Sequence, residues 1–267
     1  MLYNAKNGSL PVDGTTVEYI RFGNGRKTLI MLPGLGDGLR TTKGTALPMA
    51  LLYRVYTKEY TVYAFSRKTR LAQGCTTRDM ARDLRKCMDA LGIRRADIFG
   101  VSMGGMIAQH FAADYPERVG KLVLAVTCAR PNAILEQSIA EWVSCARSGD
   151  HRALMESNLR RIYTEDYYNR NKWMLPVAGK LTKPKSYERF FIQANACLTH
   201  DAYDRLPFIT APTLVIGGAK DQSLGVEASR EIAACLPGAK LRIYPEYGHG
   251  VYEEAKDFHK ELLDFLR

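Results

Sequence analysis

A chain of 267 residues with 46% hydrophobic and 25% charged residues has the length and balance of one globular domain with a full core. No apolar run approaches the ~18 residues a membrane helix needs, which excludes that class. The net charge of +10 is concentrated: residues 66–95 hold nine Lys or Arg against three Asp, a net of +6, and no aromatic residues interleave with them, which argues against a nucleic-acid stacking surface.

The opening Met-Leu-Tyr-Asn-Ala-Lys-Asn-Gly has no charged region leading into an apolar stretch, so no signal peptide is expected. Six scattered cysteines without a C-x-x-C pair predict reduced thiols and a cytoplasmic setting. Thr16 to Phe22 alternates and reads as an early antiparallel strand. Thr28 to Leu32 is a short apolar strand that runs into Pro33-Gly34-Leu35-Gly36-Asp37-Gly38. A helix over 45–58 and a strand from Tyr60 to Phe65 follow. The basic stretch then carries Met80, Leu84, Met88 and Leu91 as one helical stripe, with Thr76 and Asp79 placed for a capping box.

The next unit reads Ala96-Asp-Ile-Phe-Gly-Val-Ser-Met-Gly-Gly-Met-Ile-Ala-Gln-His110. Ile98, Phe99 and Val101 are of strand type, and Met106, Ile107, His110 and Phe111 recur at helical spacing. Ser102 therefore stands at a strand-to-helix turn, where glycines at 100, 104 and 105 let the two elements approach. Lys121 to Val126 is another buried strand. From 128 to 208 the sequence predicts helices and no strand; this segment holds twelve Lys or Arg and nine Asp or Glu. That net of +3 is its proportional share of the charge, so it gives no reason to expect an anionic substrate. The strand rhythm returns at 213–217, with a helix over 226–236, a strand from Lys240 to Tyr244 and a last helix over 251–266. Alternating strands and helices with continuous apolar strands predict a mostly parallel α/β sheet with helices on both faces. On this reading 1–127 and 209–267 form the core and 128–208 is a helical insertion.

Gly100-x-Ser102-x-Gly104 between a strand and a helix is the nucleophile-elbow pattern. A serine hydroxyl needs a base, and the base needs an orienting acid. Reactive groups in open α/β sheets gather at the carboxyl ends of strands. Asp221 follows the strand 213–217 and His249 follows the strand 240–244, which gives the chain order Ser102, Asp221, His249. His110, His151, His200 and His259 compete for the base, and Asp201 and Asp204 for the acid, but none of them follows a sheet strand. The oxyanion donors would be the backbone N–H groups of Met103 and Leu35. Trp142, Tyr163 and Trp173 of the insertion are candidates to line an apolar substrate pocket.

A rival reading uses Gly34-x-Gly36-x-Gly38, Ser66-Arg67-Lys68 and Tyr168-x-x-x-Lys172 as pieces of an NADP-dependent reductase. The glycine spacing departs from G-x-G-x-x-G, and the Tyr-Lys pair falls away from the sheet, which argues against it.

The chain resembles the α/β-hydrolase superfamily over nearly its whole length. Its elbow Gly-Val-Ser-Met-Gly-Gly-Met-Ile-Ala-Gln, together with Gly218-Ala-Lys-Asp221 and Tyr247-Gly-His249, is similar to the branch of small esterases, 3-oxoadipate enol-lactonase-like and cofactor-free haloperoxidase-like proteins. The resemblance implies an α/β-hydrolase fold: an eight-stranded sheet with a helical cap over the active site, formed here by 128–208. One departure is Pro33-Gly34, where the family usually has His-Gly before its first oxyanion donor. Ser102 argues against dehalogenation, which in the family uses Asp at the elbow. The expected function is a cytoplasmic serine hydrolase cleaving a small carboxylic ester or lactone, with no metal or organic cofactor and no nucleic-acid or membrane partner. Carbon–carbon bond hydrolysis or thioester cleavage on the same triad, and a non-catalytic small-molecule sensor, remain open, because the fold hosts all of them.

Overall fold

The computed structural model describes residues 2–267. Its strands are β1 Lys6–Val12, β2 Thr15–Phe22, β3 Lys27–Leu32, β4 Tyr60–Lys68, β5 Ala96–Val101, β6 Val119–Ala125, β7 Thr213–Gly218 and β8 Lys240–Tyr244. They form one eight-stranded sheet in the order β1-β2-β4-β3-β5-β6-β7-β8. β2 pairs antiparallel with β1 and β4, and every other pairing is parallel. The expected sheet is therefore present, with β1 added at its edge. That strand reads Lys-Asn-Gly-Ser-Leu-Pro-Val and is mostly exposed, so it shows no apolar alternation; Pro11 is tolerated because only one side of an edge strand must pair.

Alternation in the central strands separates two cores. Ile30, Leu32, Ile98, Leu122 and Leu124 face one side, while Leu29, Met31, Phe99, Val123 and Ala125 face the other. Both faces are covered, so these strands are buried throughout their carboxyl halves. The first face receives helix α2 (Thr77–Ala90) and α3 (Met103–Asp114); the second receives α1 (Ala46–Leu52) and the carboxyl-terminal helices. α2 begins as its sequence demands: Thr76 Oγ1 accepts the Asp79 N–H at 3.1 Å, and Asp79 Oδ2 accepts the Thr76 N–H at 2.9 Å. Its cations pair locally, Arg78 with Asp114, Arg85 with Asp89 and Lys86 with Asp13. The helix expected over 45–58 ends at Leu52 and continues as a 3-10 turn, Arg54–Tyr56.

Between β6 and β7 lie α4 (Ala133–Arg147), α5 (His151–Ile162), α6 (Glu165–Asn171), α7 (Leu175–Leu181) and α8 (Glu188–Leu198), with 3-10 turns at Lys172–Met174 and Tyr203–Phe208. No strand occurs there among the described residues. Asn132, Asp150 and Thr164 each accept a hydrogen bond from the third residue that follows, at Leu135, Ala153 and Tyr167, so side-chain caps set where α4, α5 and α6 start. After β7 come α9 (Val226–Cys235), α10 (Val251–Glu254) and α11 (Phe258–Leu266). The last two replace the single helix expected over 251–266. The break at Ala255 lets Phe258 enter the core fully buried, 5.9 Å from Phe99 and 6.1 Å from Tyr244 between ring centres. No helix among the described residues is long and apolar enough to cross a membrane.

Candidate active site

The site starts from β5 and its turn into α3. Ser102 has φ 54 and ψ −122, a conformation that costs a non-glycine residue about 1–3 kcal/mol and persists only where the surroundings impose it. The surroundings here are steric. A Cβ on Gly104 would stand 1.9 Å from the Leu32 carbonyl oxygen, and one on Gly100 would stand 2.6 Å from the Gly104 carbonyl oxygen. The strand and helix can therefore meet only because these residues lack side chains. The Ser102 N–H donates to Ala125 O at 2.9 Å, and Thr127 Oγ1 donates to Ser102 O at 2.8 Å, so the backbone is held while the side chain stays partly exposed.

Because β5 to β8 are parallel, their carboxyl ends lie on one edge of the sheet, and the loops there bring Asp221 and His249 together. Asp221 Oδ2 accepts from His249 Nδ1 at 2.8 Å. Its other oxygen accepts the N–H groups of Ser223 and Leu224 at 2.7 and 3.0 Å. Both side chains are almost fully buried. The two loops interlock: Lys220 N–H donates to Tyr247 O at 2.9 Å, and a Cβ on Gly218 would stand 2.1 Å from the Gly248 carbonyl oxygen. With one Asp221 oxygen taken up by two amides, the other is left to accept from the imidazole and to fix the proton of His249 on Nδ1. That leaves Nε2 as the free basic nitrogen. Among the described residues Ser102 Oγ and His249 make no direct hydrogen bond; such contacts often tighten only with substrate present.

The competing histidines serve elsewhere. His200 Nδ1 pairs with Thr77 Oγ1, His151 lies between Tyr187 and Thr182, and His259 Nδ1 pairs with Tyr56. Burial pushes His110 down to about 4, His200 to about 3 and His259 to about 4, so these rings are neutral structural groups near neutral pH. Asp201 and Asp204 are exposed.

The turn after β3 lies against the serine. A Cβ on Gly34 would stand 3.4 Å from Ser102 Cβ and 3.8 Å from its Oγ. Leu35 begins a 3-10 turn, Leu35–Gly38, and Met103 begins α3, so both amides belong to helix starts whose first N–H groups have no intrahelical acceptor. Pro33-Gly34 is held by Arg67, which is 5% exposed and donates from Nη2 to Pro33 O at 2.5 Å. Arg67 is thus inside the protein and not available to a phosphate. The Tyr168 hydroxyl donates to Glu156 and Lys172 to Asn169, so the reductase-like pair is also engaged locally.

A cavity of about 380 Å³, bounded by Gly36 of this turn and by α5 and α6, is lined chiefly by apolar side chains including Leu39, Met155, Leu159, Ile162, Tyr163 and Leu175. Ile162 O accepts the Gly250 N–H at 2.6 Å, and a Cβ on Gly250 would stand 2.6 Å from the Tyr163 ring. The cavity therefore borders the 34–38 turn, and two of its lining residues, Ile162 and Tyr163, pack against Gly250, next to His249. Tyr163 lines it, whereas the two tryptophans expected beside it do not. Trp142 is 6% exposed and shares the inward stripe Leu135, Ile139, Trp142, Ala146 of α4, so it packs into the main core. Trp173 is 73% exposed; it sits on the Lys172–Met174 turn, and Leu175, the residue after that turn, is the one that is buried. Sequence reading also missed Asp37 and Arg189. The one available signal was an Asp inside a Gly-rich turn, since polar turn residues are common and its partners lie far along the chain.

A family model described as alpha/beta hydrolase fold matches residues 27–256. A 2-hydroxy-6-oxononadienedioate/2-hydroxy-6-oxononatrienedioate hydrolase of Cupriavidus pinatubonensis is 30% identical over 256 residues, covering 91% of this chain and 88% of that protein. The enol-lactonase from Burkholderia xenovorans LB400 superposes with a TM-score of 0.81 at 25% identity, over 97% of this chain and 99% of that one. MGS-M2, an α/β hydrolase enzyme from a Medee basin deep-sea metagenome library, gives a TM-score of 0.84 at 23% identity, over 97% of both chains.

Proposed function

From the premise that this chain belongs to the α/β-hydrolase family and is a hydrolase, we propose that it is a serine hydrolase cleaving a small carboxylic ester or lactone through an acyl-enzyme on Ser102. The observation that carries the reading is the buried His249–Asp221 pair at 2.8 Å, on the sheet edge where the strained Ser102 ends β5. His249 Nε2 takes the Ser102 proton as Oγ attacks the carbonyl, then returns it to the leaving alkoxide; water repeats the cycle on the acyl-enzyme. Asp221 keeps the imidazole in one tautomer and stabilises its cation. The amides of Leu35 and Met103 receive the oxyanion. The helices between β6 and β7 act as the cap, and the apolar cavity beside Tyr163 holds the acyl group.

Similarity to a carbon–carbon bond hydrolase supports a second reading on the same residues. The cavity favours the ester. Among its described lining residues Arg40 is the one Lys or Arg, and it is exposed, so a substrate with two carboxylates would find no buried cation to pair with. A fluorophosphonate probe tests the nucleophile: it should label Ser102, and Ser102→Ala should abolish both labelling and turnover of a graded series of acyl esters and lactones. Labelling at another residue, or unchanged turnover in the variant, would overturn the triad. Labelling without turnover of any ester or lactone would favour the carbon–carbon hydrolase or the sensor.

A further inference from the structure

We propose that Asp37 and Arg189 are positioning residues for the first oxyanion donor, tying the 34–38 turn to helix α8 so that the Leu35 amide is held against Ser102. The proposal rests on the reading of Ser102 as the nucleophile.

The turn has little to hold it in sequence terms. It contains three glycines in five residues, and the chain is most costly to order where side chains are absent. Its order comes from outside. Asp37 is 4% exposed, and its N–H closes the turn onto Gly34 O at 3.2 Å. Its Oδ2 accepts the Arg67 N–H at 3.1 Å and Arg189 Nη2 at 2.5 Å, and its carbonyl accepts Arg189 Nη1. Arg189 also donates from Nε to Lys68 O at 3.0 Å and from Nη2 to Arg67 O at 3.2 Å. One guanidinium on α8 thus bridges the turn and the end of β4. A planar fork with fixed donors can do this, and a lysine ammonium cannot reproduce it. Beside it, Gly38 lies so close to α8 that a Cβ there would stand 2.8 Å from Phe190 Cα.

The charges also point toward the reaction. Buried Arg67 and Asp37 and partly buried Arg189 form a group with one cation in excess. Arg67 Nε and Nη1 make no hydrogen bond, and one Asp37 oxygen is unpartnered. An uncompensated buried cation is costly in the resting protein. Its field is partly offset when negative charge develops on the carbonyl oxygen across the turn, so the cluster favours the transition state over the ground state. If the cluster were only structural glue, weakening it would lower the melting temperature without selecting among substrates.

The test compares an oxygen ester with its thionoester, in which sulfur replaces the carbonyl oxygen and accepts amide hydrogen bonds poorly. The variants are Arg189→Gln, Arg189→Lys and Asp37→Asn, with melting temperature and fluorophosphonate labelling followed in each. Losing one oxyanion donor outright costs about 10²–10³ in kcat, so displacing one should cost about 10–100-fold. We expect Arg189→Gln to lose that much kcat on the oxygen ester with KM little changed, and distinctly less on the thionoester. Arg189→Lys, which keeps the charge and loses the fork, should fall between and remains measurable if the glutamine variant does not fold. Equal losses on the two esters, or a lysine variant with full kcat, would overturn the proposal. Failure of the probe to label Ser102 in the unaltered protein would show that the underlying nucleophile reading is at fault, and the positioning role would fall with it.

Discussion

The nucleophile elbow and the 34–38 turn touch each other, yet different forces shape them. The elbow is a steric device. Gly100 and Gly104 leave no room for a side chain, and their contacts are backbone atoms within a few residues or on the neighbouring strand. The turn relies more on charge: only Gly38 is sterically tight, against Phe190, while Gly36 meets nothing within 4 Å, and the shape depends on Asp37, Arg67 and Arg189. Steric exclusion holds a residue rigidly and fails abruptly. A cluster of charges holds less tightly and fails by degrees, because each bond can be removed separately. The first arrangement suits the nucleophile proposed at Ser102, and the second the donor proposed at Leu35.

The largest effect should come from relieving the elbow's strain. Ser102→Gly removes the proposed nucleophile and also the cost of a side chain at φ 54. Turnover should fall by at least ~10⁴-fold, while unfolding free energy rises by about 1 kcal/mol. Ester kinetics and urea unfolding on the same preparation check both halves; a variant less stable than the parent would mean that the elbow is not strained by its fold.

The two regions should next separate under the same small substitution. Gly104→Ala places a methyl group 1.9 Å from the Leu32 carbonyl oxygen and should cost about 3 kcal/mol, at the upper end of overpacking effects. Gly36→Ala adds its methyl group to open space and should change stability by less than about 0.5 kcal/mol. Comparable losses in urea melts of the two variants would mean that the turn is as sterically constrained at Gly36 as the elbow is at Gly104.

The smallest effect concerns the ring behind the elbow. His110, on α3, is pushed down to about 4 by burial. In the unfolded chain a histidine takes up its proton near 6.5. Below that pH the unfolded state therefore binds more protons than the native state, and stability declines as pH falls toward 4. Each such ring contributes at most about 1.4 kcal/mol per pH unit in that window. Burial acts on His200 in the same direction. His110→Gln, at a position whose Nδ1 has no partner, should flatten the slope of stability against pH between 6 and 4.5. An unchanged slope in chemical melts would show that His110 titrates freely in the native protein.

Much of this protein could be read from residues near one another in the chain. The elbow motif, the Thr76–Asp79 cap and the apolar runs of the central strands are local patterns, and local geometry decides them. The candidates Ser102, Asp221 and His249 came from a related rule: in a parallel sheet the strands end on the same edge, so a polar residue just after a strand is placed there by topology alone. The structure then added the 2.8 Å contact that joins Asp221 to His249. Tertiary packing decided what had no local signature. β1 has the polar sequence of an edge and is recognised only by its partner β2. Trp142 and Trp173 have the same side chain, but the face each helix or turn presents sends one into the core and the other into solvent. Arg67 sits in a basic run that suggests a solvated face, yet it is buried because Pro33, Asp37 and Arg189, from distant parts of the chain, converge on the end of β4. A charge can be buried only where partners meet it, and the meeting of such partners is a property of the folded chain.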